Sequence, residues 1–208
     1  YAEAYSNLGN TYKDIGQLDA AVKNYERALE IKPDYAEAYS NLGVTLQDLG
    51  QLDAAIKNFD KALAINPDYA EVHNNHGVSL QELGLLDAAV KSYEHALAIN
   101  PGYVEAHNNL GLVLHELGKP NAAIKSYEQA LTINPDYAEA LNNIGVTFQK
   151  LELLDVAIKN FDKALAITPS YVEAHNNLGN VLNDLGEPDA AIKSFKKALA
   201  INPSYVEA

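Results

Sequence analysis

The amino-acid sequence predicts an all-α fold made of repeated helix pairs, and two observations lead to that prediction. The 208 residues divide into six consecutive blocks of 34, with four residues left over, and the blocks align without gaps. Apolar residues inside each block recur three or four positions apart, which is the period of an amphipathic helix. A fixed period of this length is typical of stacked helical repeats.

The limits of the repeats follow from two regular residues. Tyrosine opens every block, and proline occupies its second-to-last position. We therefore place the repeats at residues 1–34, 35–68, 69–102, 103–136, 137–170 and 171–204, with residues 205–208 as the start of a truncated seventh. One helix pair cannot cover its own apolar face, so each repeat must pack on its neighbours. We expect a single domain over residues 1–208.

The first helix of a block is marked by its apolar face and by the glycine that follows it. In the second block Tyr39, Leu42 and Leu46 lie three or four residues apart. Gly50 then stands where the helix ends, because glycine readily adopts the left-handed backbone that terminates many helices. The fifth block departs from this pattern, since Glu152 replaces the glycine.

The second helix of a block combines small residues with one aromatic ring. In the second block Ala55, Phe59 and Ala62 form this face, and Pro67 follows the helix. Small residues let helix backbones approach closely, while the ring fills the space between them.

We expect a capping box, a side-chain acceptor with Glu three residues later, at the start of most first helices. The expected pairs are Asp34 with Glu37, Asp68 with Glu71, Asp136 with Glu139, Ser170 with Glu173, and Ser204 with Glu207. Gly102 lacks the acceptor side chain, so the sequence predicts a weaker helix start there.

These patterns together resemble the tetratricopeptide repeat (TPR) signature. In the first block the resemblance is carried by Tyr5, Leu8, Gly9 and Tyr12 of the first helix and by Ala21, Tyr25, Ala28 and Pro33 of the second. The resemblance implies a right-handed α-solenoid superhelix of six helix-turn-helix repeats, with a concave groove lined by the first helices. It also implies a protein-binding scaffold that holds polypeptide segments and is not itself an enzyme.

The face of each first helix opposite its apolar side is available to a ligand. That face carries one asparagine in every block: Asn7, Asn41, Asn75, Asn109, Asn143 and Asn177. A second asparagine precedes it in four blocks: Asn74, Asn108, Asn142 and Asn176. An amide both donates and accepts, so such a column can hold an extended peptide backbone. The run around Asn7 is also similar to repeats of the O-linked N-acetylglucosamine transferase family, in which an asparagine ladder contacts the client backbone.

Another interpretation of the asparagines stays open. Buried amides generally take a nearby hydrogen-bond partner, so each asparagine can instead bond to a neighbouring helix. The sequence alone does not separate this structural role from peptide binding.

The specificity of the groove is expected to come from two variable columns. The first is apolar in the four middle blocks and consists of Val44, Val78, Leu112 and Val146. The second lies three residues further on and consists of Gln47, Gln81, His115 and Gln149. The TPR class that clamps a C-terminal carboxylate with Lys and Arg is disfavoured, because Ser or Asn occupies the matching positions here.

Charge and residue usage exclude several kinds of partner and chemistry. The net charge is −13 and Lys and Arg are not clustered, which disfavours nucleic acid and anionic membranes and favours a basic or neutral polypeptide. No P-loop, dinucleotide motif, nucleophile elbow or pair of catalytic acids is found, and cysteine is absent. His73 and His76 have a metal-ligand spacing without a supporting motif. We therefore expect no enzyme activity, cofactor or metal site.

His76 differs from its counterparts in the other blocks, which are leucine or isoleucine. We expect it to be a local weak point that titrates near neutral pH.

The ends of the sequence suggest a fragment of a longer protein, because Met is absent even at position 1. A cytoplasmic location fits better than secretion, since no signal peptide is found, but the compartment stays open. Neither end shows a polar capping helix, so the alternative function is a self-associating scaffold that stacks head-to-tail.

Overall fold

The computed structural model describes residues 1–204, and their regular secondary structure consists of twelve helices. The first helices of the repeats are α1 Ala2–Asp14, α3 Ala36–Asp48, α5 Ala70–Glu82, α7 Val104–Glu116, α9 Ala138–Lys150 and α11 Val172–Asp184. The second helices are α2 Leu18–Ile31, α4 Leu52–Ile65, α6 Leu86–Ile99, α8 Pro120–Ile133, α10 Leu154–Ile167 and α12 Pro188–Ile201. The all-α prediction is confirmed. The truncated seventh repeat, at 205–208, lies outside the described residues.

The chain forms two compact units, Tyr1–Ala106 and His107 onward, and the division falls inside α7. In the first unit α1, α3 and α5 each pack on the helix that follows, and α2 and α4 pack on the first helix of the next repeat. In the second unit α9 packs on α10 and α11 on α12, while α8 packs on α9 and α10 on α11. The single domain expected over residues 1–208 stays a prediction.

The core of the first unit is built on the contact between an aromatic ring and a glycine. Tyr25 and Phe59 are fully buried, with small residues such as Ala21 and Ala55 beside them. A Cβ atom added to Gly43 would lie 2.5 Å from Cε1 of Phe59, closer than packed carbon atoms allow. The ring therefore occupies the space that a side chain at this position would need.

The second unit repeats this arrangement. Phe161 is fully buried and packs with Ala157, Leu178 and Val181. A Cβ atom at Gly145 would lie 2.5 Å from Cε1 of Phe161. The regular glycine of the first helices is thus explained by helix packing rather than by turn geometry.

The glycine that follows the first helices is needed for its backbone conformation. Gly50 has φ +71°, in the left-handed region, and its N–H donates to the carbonyl of Gln47 at 2.8 Å. This confirms the predicted helix end. Glu152 takes the same conformation in the fifth repeat, with φ +61°, although a Cβ atom is disfavoured there.

The predicted capping boxes are wrong where the structure describes them. The N-cap residue of α3 is Tyr35, not Asp34, and no side chain caps this helix. The same holds for α5, α9 and α11, which begin after Tyr69, Tyr137 and Tyr171. The weaker start expected at Gly102 therefore loses its basis, and Glu207 of the last pair lies outside the described residues.

The turns before α7 and α9 are each stabilised by an asparagine side chain. Asn134 Oδ1 accepts a hydrogen bond from the N–H of Asp136 at 3.1 Å, and Asn100 Oδ1 accepts one from the N–H of Gly102 at 3.1 Å. Asparagine side chains commonly stabilise turns in this way.

No helix among residues 1–204 has both the length and the apolar character required of a membrane-spanning segment.

Candidate functional site

The asparagines of the regular column lie at the surface, as expected of a ligand-binding face. These residues form the amide face: Asn7, Asn41, Asn75, Asn109, Asn143 and Asn177. Asn7 is exposed and the other five are half-buried. In α3 the core side consists of Ala38, Leu42 and Leu46. The amide face is therefore accessible in both units.

In the first unit the amide face is tied to the preceding repeat. Asn41 Nδ2 donates to Oδ1 of Asn10 at 3.1 Å, and the hydroxyl of Tyr25 donates to the same oxygen at 2.7 Å. Burial raises the pKa of Tyr25, so the phenol stays protonated and able to donate. These two bonds hold the amide groups of Asn10 and Asn41 in fixed orientations.

The second unit contains the same kind of bond in two successive repeats. Asn143 Nδ2 donates to Oδ1 of Asn108 at 3.0 Å, and Asn177 Nδ2 donates to Oδ1 of Asn142 at 2.9 Å. Asn108 Nδ2 in turn donates to Oε1 of Glu139 at 2.9 Å. The structural role left open by the sequence is thus present, since these asparagines do bond to a neighbouring first helix.

This structural role leaves part of each amide for a ligand. An amide nitrogen carries two N–H groups and an amide oxygen has two lone pairs. The bond from Asn177 to Asn142 uses one N–H group of Asn177. Structural bonding and ligand binding are therefore compatible at the same residue.

The second asparagine column lies below the surface and not on it. Asn108 is 1% exposed and Asn176 is 4% exposed, while Asn74 and Asn142 are also buried. Asn108 and Asn142 accept the bonds from the amide face and so orient it.

The apolar column of the predicted groove is accessible. Val44, Val78 and Val146 are half-buried, and Leu112 is exposed. These four side chains lie three residues beyond the amide face on their helices, so they extend it by an apolar strip.

The polar column that follows the apolar strip connects successive repeats. Gln47 Nε2 donates to Oε1 of Glu82 at 3.5 Å, and Gln149 Nε2 donates to Oδ2 of Asp184 at 3.2 Å. The residues of each pair are 35 positions apart in the sequence. Gln81 belongs to the same column and accepts a hydrogen bond from the hydroxyl of Tyr93 at 3.1 Å.

His115 occupies this column in the fourth repeat, and its tautomer follows from its partner. Its Nδ1 lies 2.9 Å from Oγ1 of Thr147, and that hydroxyl donates its single proton to the carbonyl of Asn143 at 2.8 Å. The Nδ1 atom therefore carries the proton and donates to Thr147. Burial, and next the charge of Lys150, lower the pKa of His115, which favours its neutral form.

A polar cavity of about 480 Å³ opens beside the amide face in the first unit. Its lining residues are Asn10, Lys13, Asp14, Tyr25, Glu37, Asn41, Tyr69 and Glu71. Burial and the charges of Glu71 and Glu37 raise the pKa of Tyr69, so two carboxylates lie near its hydroxyl. Lys13 is engaged with Asp48, at 3.4 Å between Nζ and Oδ2. The cavity is therefore suited to a polar group that is neutral or positively charged.

The sequence did not identify Tyr25 and Tyr69 as part of this site. The block pattern marks Tyr69 only as the start of a repeat, and Tyr25 only as the aromatic ring that fills the space between helices. The sequence does contain a signal for Tyr25. Phe59 and Phe161 occupy the same position in other repeats, so Tyr25 carries an additional hydroxyl, and a buried hydroxyl requires a hydrogen-bond partner.

The histidines with metal-like spacing have other partners. His73 Nε2 donates to the carbonyl of Pro67 at 2.9 Å, and its ring packs edge-on against His95 with 5.3 Å between centroids. His76 Nδ1 lies 3.0 Å from the hydroxyl of Ser92. No group of three His, Asp or Glu side chains within residues 1–204 has a metal-binding arrangement.

Stacked helix pairs of this kind are typical of helical-repeat proteins, which bind partners on extended surfaces. A family model described as TPR repeat matches residues 9–50, 113–152 and 154–186, and one described as tetratricopeptide repeat matches residues 34–101. The first model alone covers more than half of the sequence. The chain belongs to the tetratricopeptide repeat family.

Several solved structures are similar to this one. The MamA protein shares 27% identity with a TM-score of 0.68, covering 81% of this chain and 92% of MamA. PilW, a widely conserved type IV pilus biogenesis factor, shares 24% identity with a TM-score of 0.89, covering 99% of this chain and 96% of PilW. YrrB, a TPR protein with an unusual peptide-binding site, shares 23% identity with a TM-score of 0.66, covering 88% of this chain and 94% of YrrB.

At these identities PilW and YrrB support the fold alone. Membership of the family supports a general role in protein binding, and TPR proteins are generally non-catalytic scaffolds.

Proposed function

We propose that this chain is a non-catalytic module that holds an extended polypeptide segment along the amide face of either unit. The observation that carries the proposal is the fixed orientation of Asn41, Asn143 and Asn177, each held by a bond to the preceding repeat. A preformed set of amides avoids the cost of ordering flexible side chains on binding. Each hydrogen bond to the ligand backbone then contributes about 1 kcal/mol.

The charge of the site favours a basic or neutral segment. Glu37 and Glu71 line the cavity beside the amide face, and the whole chain carries a net charge of −13. Nucleic acids and anionic lipids would be repelled by this field, whereas a positively charged peptide would be attracted to it.

A triple substitution of Asn41, Asn143 and Asn177 to alanine tests the proposal. A peptide is first selected from a peptide array, and its affinity for the wild type is measured by isothermal titration calorimetry. A peptide held in the second unit loses the two bonds from Asn143 and Asn177, and at about 1 kcal/mol each this predicts affinity lower by roughly 30-fold.

Asparagines elsewhere in the chain offer a matched control. Asn24, Asn58 and Asn160 lie on second helices, where each Nδ2 donates to the carbonyl four residues earlier at 2.8 Å. Their triple substitution to alanine should leave peptide affinity unchanged. Unchanged affinity in the amide-face variant, with its helical circular dichroism intact, would exclude the proposal.

A second candidate function is head-to-tail self-association, and the exposed apolar ends of the structure favour it. Leu8 of α1 is 43% exposed, whereas Leu42 and Leu178 at the same position are 5% and 9% exposed. On α12, Ile192 and Leu199 are 49% and 39% exposed. The two faces correspond to the two sides of the contact between repeats, so one copy can bury the face of the next.

Multi-angle light scattering over a concentration series tests self-association. The candidate predicts a mass that rises with concentration, and a Leu8→Glu substitution should abolish the rise without affecting peptide affinity. A monomeric mass at every concentration would rule out this candidate while leaving the peptide-binding proposal intact.

A further inference from the structure

Two histidines of the third repeat lie against each other across its helix pair. His73 of α5 and His95 of α6 pack edge-on, with 5.3 Å between their ring centres. His73 is half-buried and His95 is exposed. The spacing in the sequence pairs His73 with His76 on the same helix, whereas the structure pairs it with a histidine of the next helix.

The same two positions carry a ring and a cation in another repeat. In the second repeat they are Tyr39 and Lys61, and Nζ of Lys61 lies 5.2 Å from the centre of the Tyr39 ring, within the range of a cation–π interaction. The position of His95 is otherwise held by Arg27, Lys61, Gln129, Lys163 and Lys197. The third repeat is therefore the repeat in which both positions carry an imidazole.

The backbone fixes the tautomer of His73. Its Nε2 lies 2.9 Å from the carbonyl oxygen of Pro67, and because a carbonyl only accepts, Nε2 carries the proton and Nδ1 keeps its lone pair. Metal-binding histidines commonly donate their second ring N–H to a carbonyl in this way, which orients the ring and makes the ligating nitrogen more basic. The bond to Pro67 therefore leaves His73 able to ligate through Nδ1.

The separation of the two rings fits a shared metal ion. Zinc–nitrogen bonds of about 2.1 Å with a tetrahedral angle between them place the centres of two ligating imidazoles roughly 5 Å apart. The distance between the ring centres of His73 and His95, 5.3 Å, agrees with this geometry. Since His95 is exposed, its ring can turn to direct a nitrogen at the ion.

We propose that His73 and His95 chelate a divalent transition-metal ion of the class that prefers imidazole ligands, such as Zn²⁺ or Cu²⁺. Water fills the remaining coordination positions, because residues 1–204 contain no metal-binding arrangement of three His, Asp or Glu side chains. Two ligands on packed helices bind more tightly than one, since the second is held at a high effective concentration. Neither histidine belongs to the amide face, so this site does not depend on the peptide-binding proposal.

Titration of the intact chain with zinc chloride tests the site directly. Isothermal titration calorimetry should show a single class of bound ion. Nuclear magnetic resonance should show the Nδ1 signal of His73 and one ring-nitrogen signal of His95 changing together. The other histidines are internal references whose ring-nitrogen signals should change little: His76, His107, His115 and His175.

Two variants separate the chelate from binding by a lone histidine. Glutamine stands at the position of His95 in the fourth repeat and carries no charge that would repel the ion, so His95→Gln should fold and expose the loss of one ligand. Its Zn²⁺ affinity should be lower by roughly 100-fold. The matched control is His76→Leu, which removes the next histidine along α5 and introduces the residue found there in other repeats. This variant should keep the wild-type affinity.

A wild-type chain that does not bind Zn²⁺ would overturn the proposal, as would equal affinity of the wild type and His95→Gln. A loss in His76→Leu as large as the loss in His95→Gln would also contradict it, because the ion would then lie on the pair along α5.

Discussion

Single residues in this chain are constrained for different physical reasons, even where they are the same amino acid. Gly43 is required because the ring of Phe59 occupies its side-chain space, whereas Gly50 is required for its left-handed backbone. The sequence pattern reveals both columns, but only the structure distinguishes the two reasons. Substitutions at single positions can therefore test each reason separately.

Substitution of Gly43 by alanine should destabilise the first unit. The new Cβ atom would lie 2.5 Å from Cε1 of the fully buried Phe59, so the ring or the helix must move. Overpacking of this kind costs about 1–3 kcal/mol of unfolding free energy, measured by urea denaturation. Gly102→Ala is the control, since its Cβ atom would meet nothing closer than 3.5 Å. Similar stability of the two variants would contradict this explanation.

Replacing Glu152 by glycine should stabilise the protein. Glu152 has φ +61°, and a residue with a Cβ atom pays roughly 1–2 kcal/mol for this conformation. Glycine removes that cost, and the expected gain is about 1 kcal/mol in thermal or urea unfolding. The reverse change, Gly118→Glu, should lose a similar amount, because Gly118 has φ +71° at the equivalent position. A loss of stability in Glu152→Gly would refute the argument.

His76 should make stability depend on pH. Burial is the main cause that lowers the pKa of His76 below its ordinary 6.5, with His73 acting in the same direction and Asp60 opposing it. The unfolded chain therefore binds the proton at a higher pH than the folded chain does. The stability contributed by neutral His76 is complete above pH 6.5 and is lost as the pH falls from 6.5 toward the folded pKa.

Urea denaturation from about pH 8 to about pH 5 tests this in the wild type and in His76→Leu. The leucine variant should lose less stability on acidification. Comparing the two proteins cancels the contribution of the groups that they share, such as His115. Parallel pH profiles for the two proteins would show that His76 does not titrate as argued.

At the scale of the helices, local sequence predicts most of the structure. The apolar period and the glycine after each first helix place the helices correctly, because both depend on residues within the same turn or the next. The capping boxes failed since Asp34 lies one residue before the N-cap, Tyr35, and therefore outside the helix start. Spacing alone did not reveal that shift.

The turn asparagine provides a test at this scale. Asn134→Ala removes the acceptor for the N–H of Asp136, and we expect a loss of about 1 kcal/mol in unfolding free energy. Asn66 occupies the same place before α5, and no such bond is formed there among the described residues. Asn66→Ala should therefore cost clearly less in the same urea titration. Equal costs would show that the side-chain bond does not stabilise the turn.

The candidate site was only partly predictable from the sequence. Its surface columns follow from helix periodicity, and Asn41 and Val44 lie where that period places them. The bonds from Asn41 to Asn10 and from Asn177 to Asn142 were not predictable, because each joins side chains more than 30 residues apart. Only packing of successive repeats brings such pairs into contact.

At the scale of the whole molecule, repetition gives the two units surfaces of the same chemistry. Amide groups recur once per repeat on the first helices, and the acidic charge is spread over the sequence. Such a surface suits a ligand that also repeats one chemistry along its length, as a polypeptide backbone does. The proposed function accordingly predicts recognition of the backbone more than of particular side chains.

Calorimetric titration of a selected peptide and its backbone N-methylated analogues tests this central claim most directly. N-methylation removes the N–H groups that the asparagine oxygens would accept, while leaving every side chain in place. Methylation of a central residue should weaken binding by about fivefold or more, whereas alanine at the same residue should change it little. Full affinity of the methylated peptides, with large losses on alanine substitution, would contradict the account.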